Sequence, residues 1–170
     1  MACDLIAGIS GVCKNSIGGL KNLYLGNFID NPFTVTDSVA TAINVAITEV
    51  YKYEIDGDTQ GVTEDFVSDR GTGTSVNTQT LTAVLKQINA TKSAELNTLV
   101  YGKTFVVAED RNGEFLVLGI DDGMDFSISS TTGQAKTDLN GYTLTGTATT
   151  GALAPTLDSA TITTFLALVA

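Results

Sequence analysis

The sequence predicts a mainly β protein, an antiparallel β-sandwich or barrel with one short flanking helix. Hydrophobic residues make up 43% of the 170 residues and charged residues only 16%, so Thr, Ser, Asn and Gly must cover much of the surface, as in β proteins. Apolar and polar residues also alternate in several short runs. The third observation is a hairpin signal from Lys103 to Leu118, where two β-rich runs flank Asp110-Arg111-Asn112-Gly113. Asn and Gly tolerate the positive φ that such turns require.

The two strands of this hairpin are apolar on both faces. Val106 is followed by Val107, and Leu116 to Leu118 are all apolar. A strand with only one buried face would instead alternate apolar and polar residues. We therefore expect the hairpin to lie between its own core and a second layer, which is either a helix or another subunit.

The first half of the chain begins with residues 1–19, whose four glycines predict an extended arm that can reach a neighbour. The segment Val39 to Ile47 is ambiguous, because its alanines favour a helix. Its β-branched residues and the lack of a capping box favour a strand. The strands predicted before the helix are Leu20 to Phe28, one that starts at Phe33, Val39 to Ile47, Tyr51 to Ile55, and Thr78 to Ile88.

Between these strands, Asp56 to Thr74 is predicted to be a long loop. The segment is polar and rich in glycine, and its apolar anchors are Val62, Phe66 and Val67. A connection of this length within a compact domain is usually functional or mobile. We expect these three residues to lie at a contact between subunits.

Thr91 to Tyr101 is the one predicted helix. Thr91 can cap it, Leu96, Leu99 and Val100 form an apolar stripe, and Gly102 ends it. The strands predicted after the central hairpin are Phe126 to Ser129, Gly141 to Thr147, and Ile162 to Val169, with Ser130 to Asn140 and Ala148 to Pro155 as connections. Residues 1–170 are expected to form a single domain.

Charge and cysteine content restrict the partners and the compartment. The net charge of −10 argues against tight nucleic-acid binding, which needs clustered Lys and Arg. Cys3 and Cys13 are compatible with a local bridge, and reduced thiols in a protein folded in the cytoplasm are favoured. The start at Met1 lacks the basic region of a secretory signal, and the apolar segment Thr161 to Ala170 is too short to span a bilayer, so we expect no membrane partner.

A metal site in the sequence would be recognised by the spacing of its ligands. Asp56, Asp58 and Gln60 approach the spacing of a calcium loop, but Val67 occupies the position of the bidentate glutamate. A second acidic group is interpreted as a solvated turn; it consists of Asp121, Asp122 and Asp125. No metal and no cofactor are predicted.

Catalytic chemistry has few candidate residues. The chain has no histidine, and Cys13 has only Lys14 beside it as an activating cation. A carboxylate pair could act as acid and base, but nothing in the sequence places two of them across a cleft. The segment from Gly71 to Ser75 is rich in glycine but lacks the lysine of a phosphate loop. We predict no catalytic residue and a protein that is not an enzyme.

Several stretches resemble structural proteins of tailed bacteriophages. They are the start Met1-Ala2-Cys3, the sequence Gly18-Gly19-Leu20-Lys21 before a strand, and Asn140-Gly141-Tyr142-Thr143-Leu144-Thr145. The order of elements is similar as well. The strongest resemblance is to tail tube proteins, a family of β-sandwich or barrel subunits with one flanking helix.

The resemblance implies hexameric rings that stack into a hollow conduit in the virion tail, made in the cytoplasm of the host bacterium. Other virion proteins would be partners, and DNA would pass without specific binding, because carboxylates such as that of Glu54 repel phosphate. One alternative is a head-decoration, capsid-stabilising or connector protein. Another is a β-sandwich module for adhesion or ligand binding.

Overall fold

The computed structural model describes residues 7–11, 13–55, 57 and 59–170. The eleven strands described are β1 (Leu20–Asn27), β2 (Phe33–Thr36), β3 (Val39–Ile43), β4 (Tyr51–Glu54), β5 (Gly61–Asp69), β6 (Thr74–Lys86), β7 (Thr104–Asp110), β8 (Phe115–Leu118), β9 (Asp125–Thr131), β10 (Gly141–Thr150) and β11 (Thr156–Leu157). The two helices described are α1 (Ala90–Tyr101) and α2 (Ser159–Leu166).

The strands form two sheets, and the predicted β-sandwich class is confirmed. One sheet has seven strands in the order β2-β3-β11-β8-β7-β1-β4, and the other has four in the order β5-β6-β10-β9. All the pairings are antiparallel except the short one between β11 and β3. The four-stranded sheet covers one face of the seven-stranded sheet.

The central hairpin is confirmed as β7 and β8, and both of its faces are buried. Val106 and Ala108 point into the core between the sheets. Phe105 and Val107 alternate with them and belong to a second core on the opposite face. The second layer left open by the sequence is therefore formed within the chain, and α2 is part of it.

The C-terminal segment packs into the second core as a helix, and the strand predicted there is wrong. Ile162 to Val169 was predicted to be a strand, but residues Ser159–Leu166 form α2. Asp158 caps this helix, since its carboxylate accepts a 2.6 Å hydrogen bond from the Thr161 amide. Ile162 and Phe165 are three residues apart and both pack against the seven-stranded sheet. The strand prediction failed because a short apolar run does not distinguish a strand from a buried helix.

The predicted loop from Asp56 to Thr74 is also wrong over most of its length. Gly61–Asp69 form β5, which pairs along its whole length with β6. The strand is polar because it is an edge strand, and it extends past the end of the sandwich, where both of its faces meet water. The periodicity that marks half-buried strands is therefore absent.

Other boundaries move by a few residues. Helix α1 begins at Ala90, and its cap is Asn89, whose side chain accepts a 2.8 Å bond from the Lys92 amide, in place of Thr91. The strand predicted to reach Ile47 ends at Ile43. Strand β10 continues to Thr150, so the predicted linker from Ala148 begins within it.

The described part of the N-terminal arm, residues 7–11 and 13–19, contains no helix or strand and is exposed. Asn112, in the turn between β7 and β8, holds one point of it. The Asn112 side chain accepts a 3.0 Å hydrogen bond from the Ile17 amide and donates a 2.9 Å bond to the Ile17 carbonyl. The arm is thus attached at the end of the sandwich where β1 begins.

Glu109 is a buried carboxylate in the seven-stranded sheet. It accepts hydrogen bonds from Lys21 Nζ at 2.7 Å, Asn22 Nδ2 at 2.6 Å and Tyr24 Oη at 3.1 Å. Burial raises the pKa of Glu109, but the hydrogen bonds from Asn22, Lys21 and Tyr24 outweigh it and leave the pKa below 4.5. Burial and the charge of Glu109 raise the pKa of Tyr24 to about 12, so Tyr24 remains a donor.

Substituting Glu109 by glutamine should lower stability in a pH-dependent way. A depressed pKa contributes stability above the ordinary value of 4.5 that is lost as the pH falls through the lower folded value. We expect Glu109→Gln to cost about 1–3 kcal/mol at about pH 7, and less at about pH 3. Urea unfolding at both pH values measures this. Glu54→Gln, in an exposed pair with Lys52, is the control and should change little; an equal cost for Glu109→Gln at both pH values would contradict the argument.

Candidate assembly surfaces

The hairpin of β5 and β6 projects beyond the four-stranded sheet. Strand β10 pairs with β6 only as far as Asn77, which lies opposite Thr150. Past this point β5 and β6 pair only with each other and join through the turn before Thr74. We call the part of the hairpin from the Phe66–Asn77 pair outward, residues 66–77, the hairpin tip.

The hairpin tip carries exposed apolar side chains. The exposed fractions are 49% for Phe66, 65% for Val67 and 47% for Val76. Val67 and Val76 lie directly opposite each other, so they form one apolar pair on the outward face. Phe66 lies opposite Asn77, on the other face, so the end of this projecting hairpin has exposed apolar side chains on both faces, as is typical of a contact surface.

The structure separates the three residues predicted at this contact. Phe66 and Val67 lie on the hairpin tip, whereas Val62 is half-buried opposite Leu81 and packs against the core between the sheets. Val76 could not be predicted at this surface from the sequence, because its place there follows from its cross-strand pairing with Val67. That register depends on β5 being a strand.

The base of the hairpin is held by a network of hydrogen bonds between the half-buried Glu64 and the buried side chains of Asn77 and Gln79. One Glu64 carboxylate oxygen accepts hydrogen bonds from Asn77 Nδ2 at 2.7 Å, Gln79 Nε2 at 3.0 Å and the Ala154 amide at 2.9 Å. The side-chain oxygen of Gln79, Oε1, in turn accepts a 2.9 Å hydrogen bond from the Gly119 amide. These bonds join the hairpin to both sheets, so the hairpin tip extends from a fixed base.

The outward face of the four-stranded sheet is covered by hydroxyl side chains. Thr63, Thr80 and Thr147 lie side by side across three neighbouring strands, and Thr82 lies beside Thr145. The hydroxyl residues of this face include Thr63, Thr78, Thr80, Thr82, Thr143, Thr145, Thr147, Thr149, Ser127, Ser129 and Thr131, and the half-buried Val84 lies among them. We call it the hydroxyl face.

Few charges interrupt the hydroxyl face. Asp65, Asp69 and Asp125 share its parity, and Lys86 is at one end of β6. Glu54, the acidic residue favoured from the sequence, lies instead on β4, at the edge of the other sheet, where it is paired with Lys52 at 3.1 Å. The hydroxyl face is therefore nearly neutral and slightly acidic.

Both edges of the four-stranded sheet are strands with unpaired backbone groups. β5 is one edge and has nine residues, and β9 is the other and has seven. Such edges are templates for pairing with a strand of another chain. The two edges differ in sequence, so pairing between β5 and β9 would be heterologous.

Of the acidic residues considered as metal ligands, Asp125 lies on the hydroxyl face. Asp56 and Asp58 lie outside the described residues, and Gln60 is buried. Asp121 accepts a 2.9 Å hydrogen bond from the Gly151 amide. Within the described part of the chain, no group of three His, Cys, Asp or Glu residues could hold a metal ion.

The remaining candidates from the sequence are placed as follows. Cys13 is a free, exposed thiol on the arm, and Cys3 lies outside the described residues. The glycine-rich segment from Gly71 forms the turn of the hairpin tip, and its Gly71 amide donates a 2.7 Å bond to the Asp69 carboxylate. Neither described helix is long and apolar enough to span a membrane.

Comparisons with known proteins found no relative, so the proposed function depends on the sequence resemblance and the geometry of these surfaces. The chain matches no protein-family model, no curated protein and no solved structure.

Folding is predicted to be independent of metal and of a disulfide. The two cores bury enough apolar surface to stabilise the fold without the disulfide bonds or metal ions that smaller domains need. We expect the melting temperature to change by less than about 3 °C with chelator or with reductant, measured by circular dichroism. A fall of about 10 °C with either would correspond to several kcal/mol for a domain of this size and would contradict the prediction.

Proposed function

We propose that the protein is a tail tube subunit of a tailed bacteriophage, whose copies form rings that stack into a conduit for DNA. The observation that carries this proposal is the hydroxyl face, a nearly neutral surface on a sheet with an open strand at each edge. The sequence resemblance to tail tube proteins supports it. The proposed location is the virion tail.

Edge pairing provides a route to the ring. If β5 of one copy pairs with β9 of the next, the four-stranded sheets join into one continuous barrel. A heterologous contact of this kind closes into a ring when the rotation between copies fits a whole number of subunits. Six copies would contribute more strands than the roughly 16–18 of porins, whose barrels already hold a water-filled channel.

The hydroxyl face would then line the channel. Tight binding of DNA needs clustered Lys and Arg side chains that replace counterions on the phosphates. The charged side chains on the strands of this face are Lys86, Asp65, Asp69 and Asp125, and Lys103 lies beside Thr78 and Thr149 at its margin. Phosphates passing within about 8 Å, the Debye length at physiological salt, would meet weak repulsion, so DNA would slide.

The hairpin tip would supply the contact between stacked rings. It projects past the end of the sandwich, along the direction of the strands, and it carries Phe66, Val67 and Val76 exposed. Burying this apolar surface against the next ring would stabilise the stack.

Negative-stain microscopy of the purified protein tests the assembly. Hollow tubes or stacked rings would support the proposal. Isolated rings that do not stack would favour a connector or decoration protein, and monomers at high concentration would favour a binding module.

Cationic substitutions on the hydroxyl face test which surface lines the channel. We expect Thr80→Lys combined with Thr147→Lys to leave tubes intact but to retain single-stranded oligonucleotides at low salt, which wild-type tubes release. Val100→Lys combined with Tyr101→Lys, on the exposed face of α1, is the control and should not change retention inside the tube. Equal retention by both variants would show that the hydroxyl face does not line the channel.

A further inference from the structure

The N-terminal arm and a surface cleft lie at opposite ends of the sandwich. Strand β1 begins at Leu20, opposite Asp110, and ends at Asn27, opposite Thr104. The arm is attached at the Leu20 end through the bonds between Ile17 and Asn112. The cleft opens beyond the Asn27 end, and eight residues of strand separate the two by about 26 Å.

The cleft has a volume of about 620 Å³ and combines apolar walls with acidic groups. Val35 and Leu153 line it and are 41% and 52% exposed, and Ile120 also lines it and packs against the second core. Asp30 and Asp121 also line it. The ion pairs of the described residues, Lys21–Glu109 and Lys52–Glu54, include neither of these aspartates.

The arm has the complementary composition. Ile9 is fully exposed on it and belongs to neither buried core, whereas Ile17 is partly exposed at the point where the arm is attached to its own domain. Lys14 is exposed between them and takes part in neither ion pair. A segment that presents an exposed isoleucine and a cation, Ile9 and Lys14, matches a cleft with apolar walls and two carboxylates.

We propose that the arm of one copy docks into the cleft of the next copy. Because the arm and the cleft lie at opposite ends of the folded domain, the contact joins two different surfaces and propagates from copy to copy, head to tail. The hairpin tip projects from the same end as the cleft, since Thr150 lines the cleft and lies opposite Asn77. This inference rests on the proposed tube, in which the arm would fasten one ring to the next.

Cysteine cross-linking tests the docking with the native Cys13 as the probe on the arm. In a Cys3→Ser background, Leu153→Cys places a second thiol on the cleft wall, at a position exposed enough to accept the change. The assembled protein is treated with a short bismaleimide, which tolerates several ångströms of misplacement, and is analysed on denaturing gels. We expect a ladder of dimers, trimers and longer products, because each chain carries one thiol of each kind.

Two matched variants control for random collision. Tyr101 is more exposed than Leu153 but does not line the cleft, so Tyr101→Cys should give a much weaker ladder. Leu153→Cys combined with Cys13→Ser should give no ladder. Equal ladders from Tyr101→Cys and Leu153→Cys would overturn the inference.

Charge exchange provides a second measurement on the same contact. Lys14→Glu and Asp30→Lys should each weaken assembly by roughly two- to fivefold in the concentration needed, and the double variant should recover it. If both measurements fail in a protein that forms tubes, the docking is wrong and the proposed function is unaffected. A cross-linked ladder from a protein that forms no tubes would support the docking and contradict the proposed tube.

Discussion

Replacing Phe165 with alanine is expected to destabilise the domain by about 3–5 kcal/mol, the usual cost of truncating a fully buried phenylalanine. The Phe165 ring has no solvent exposure and joins α2 to the seven-stranded sheet. It meets the ring of Tyr24 edge-on, with centroids 5.6 Å apart, and the ring of Phe33 at 6.2 Å. The cavity would remove the largest buried side-chain contact between α2 and the sheet. Chemical denaturation measured by fluorescence or circular dichroism gives the loss.

The neighbouring residue of the same helix is the control. Leu166 is 42% exposed, and Leu166→Ala should cost at most about 1 kcal/mol. Similar costs for the two substitutions would show that α2 contributes little to the second core. A Phe165→Ala variant that fails to fold at all would place its cost at or above the total stability of the domain, which agrees with the expectation.

Replacing the apolar side chains of the hairpin tip by serine is expected to abolish tube formation and to leave the subunit folded. The triple variant Phe66→Ser, Val67→Ser and Val76→Ser removes apolar surface that is already exposed in the single chain, so its melting temperature should stay within a few degrees. Stacked rings each repeat the contact several times, so a modest loss per subunit becomes a large loss of assembly. Sedimentation and microscopy measure the result.

Point substitution is the appropriate test here because deleting the segment would remove β5 and the Glu64 network that holds the base of the hairpin. Val100→Ser combined with Tyr101→Ser removes exposed apolar surface from α1 and should leave tubes unchanged. Long tubes from the triple variant would show that the hairpin tip is not the stacking contact.

Local patterns explain which elements the sequence analysis predicted. The turn at Asn112-Gly113, the apolar runs on both sides of it and the glycine after Tyr101 act over a few residues, so β7, β8 and α1 follow from them. Among the predicted contact residues, Phe66 and Val67 are exposed on the hairpin tip, whereas Val62 packs against the core. Their pairing with Val76 depends on a strand register that no local signal specifies.

By itself, the sequence determined the β class, the central hairpin and the need for a second layer over it, because hydrophobic periodicity and turn chemistry are properties of neighbouring residues. Only the tertiary structure decided that Ile162 to Leu166 is helical and that Gly61 to Asp69 is a strand. Phe165 is helical because Asp158 caps that turn and the second core accepts one face of the helix. The polar strand β5 forms because β6 supplies its backbone hydrogen bonds. In both segments the deciding partner is distant in the chain, and no window of neighbouring residues contains it.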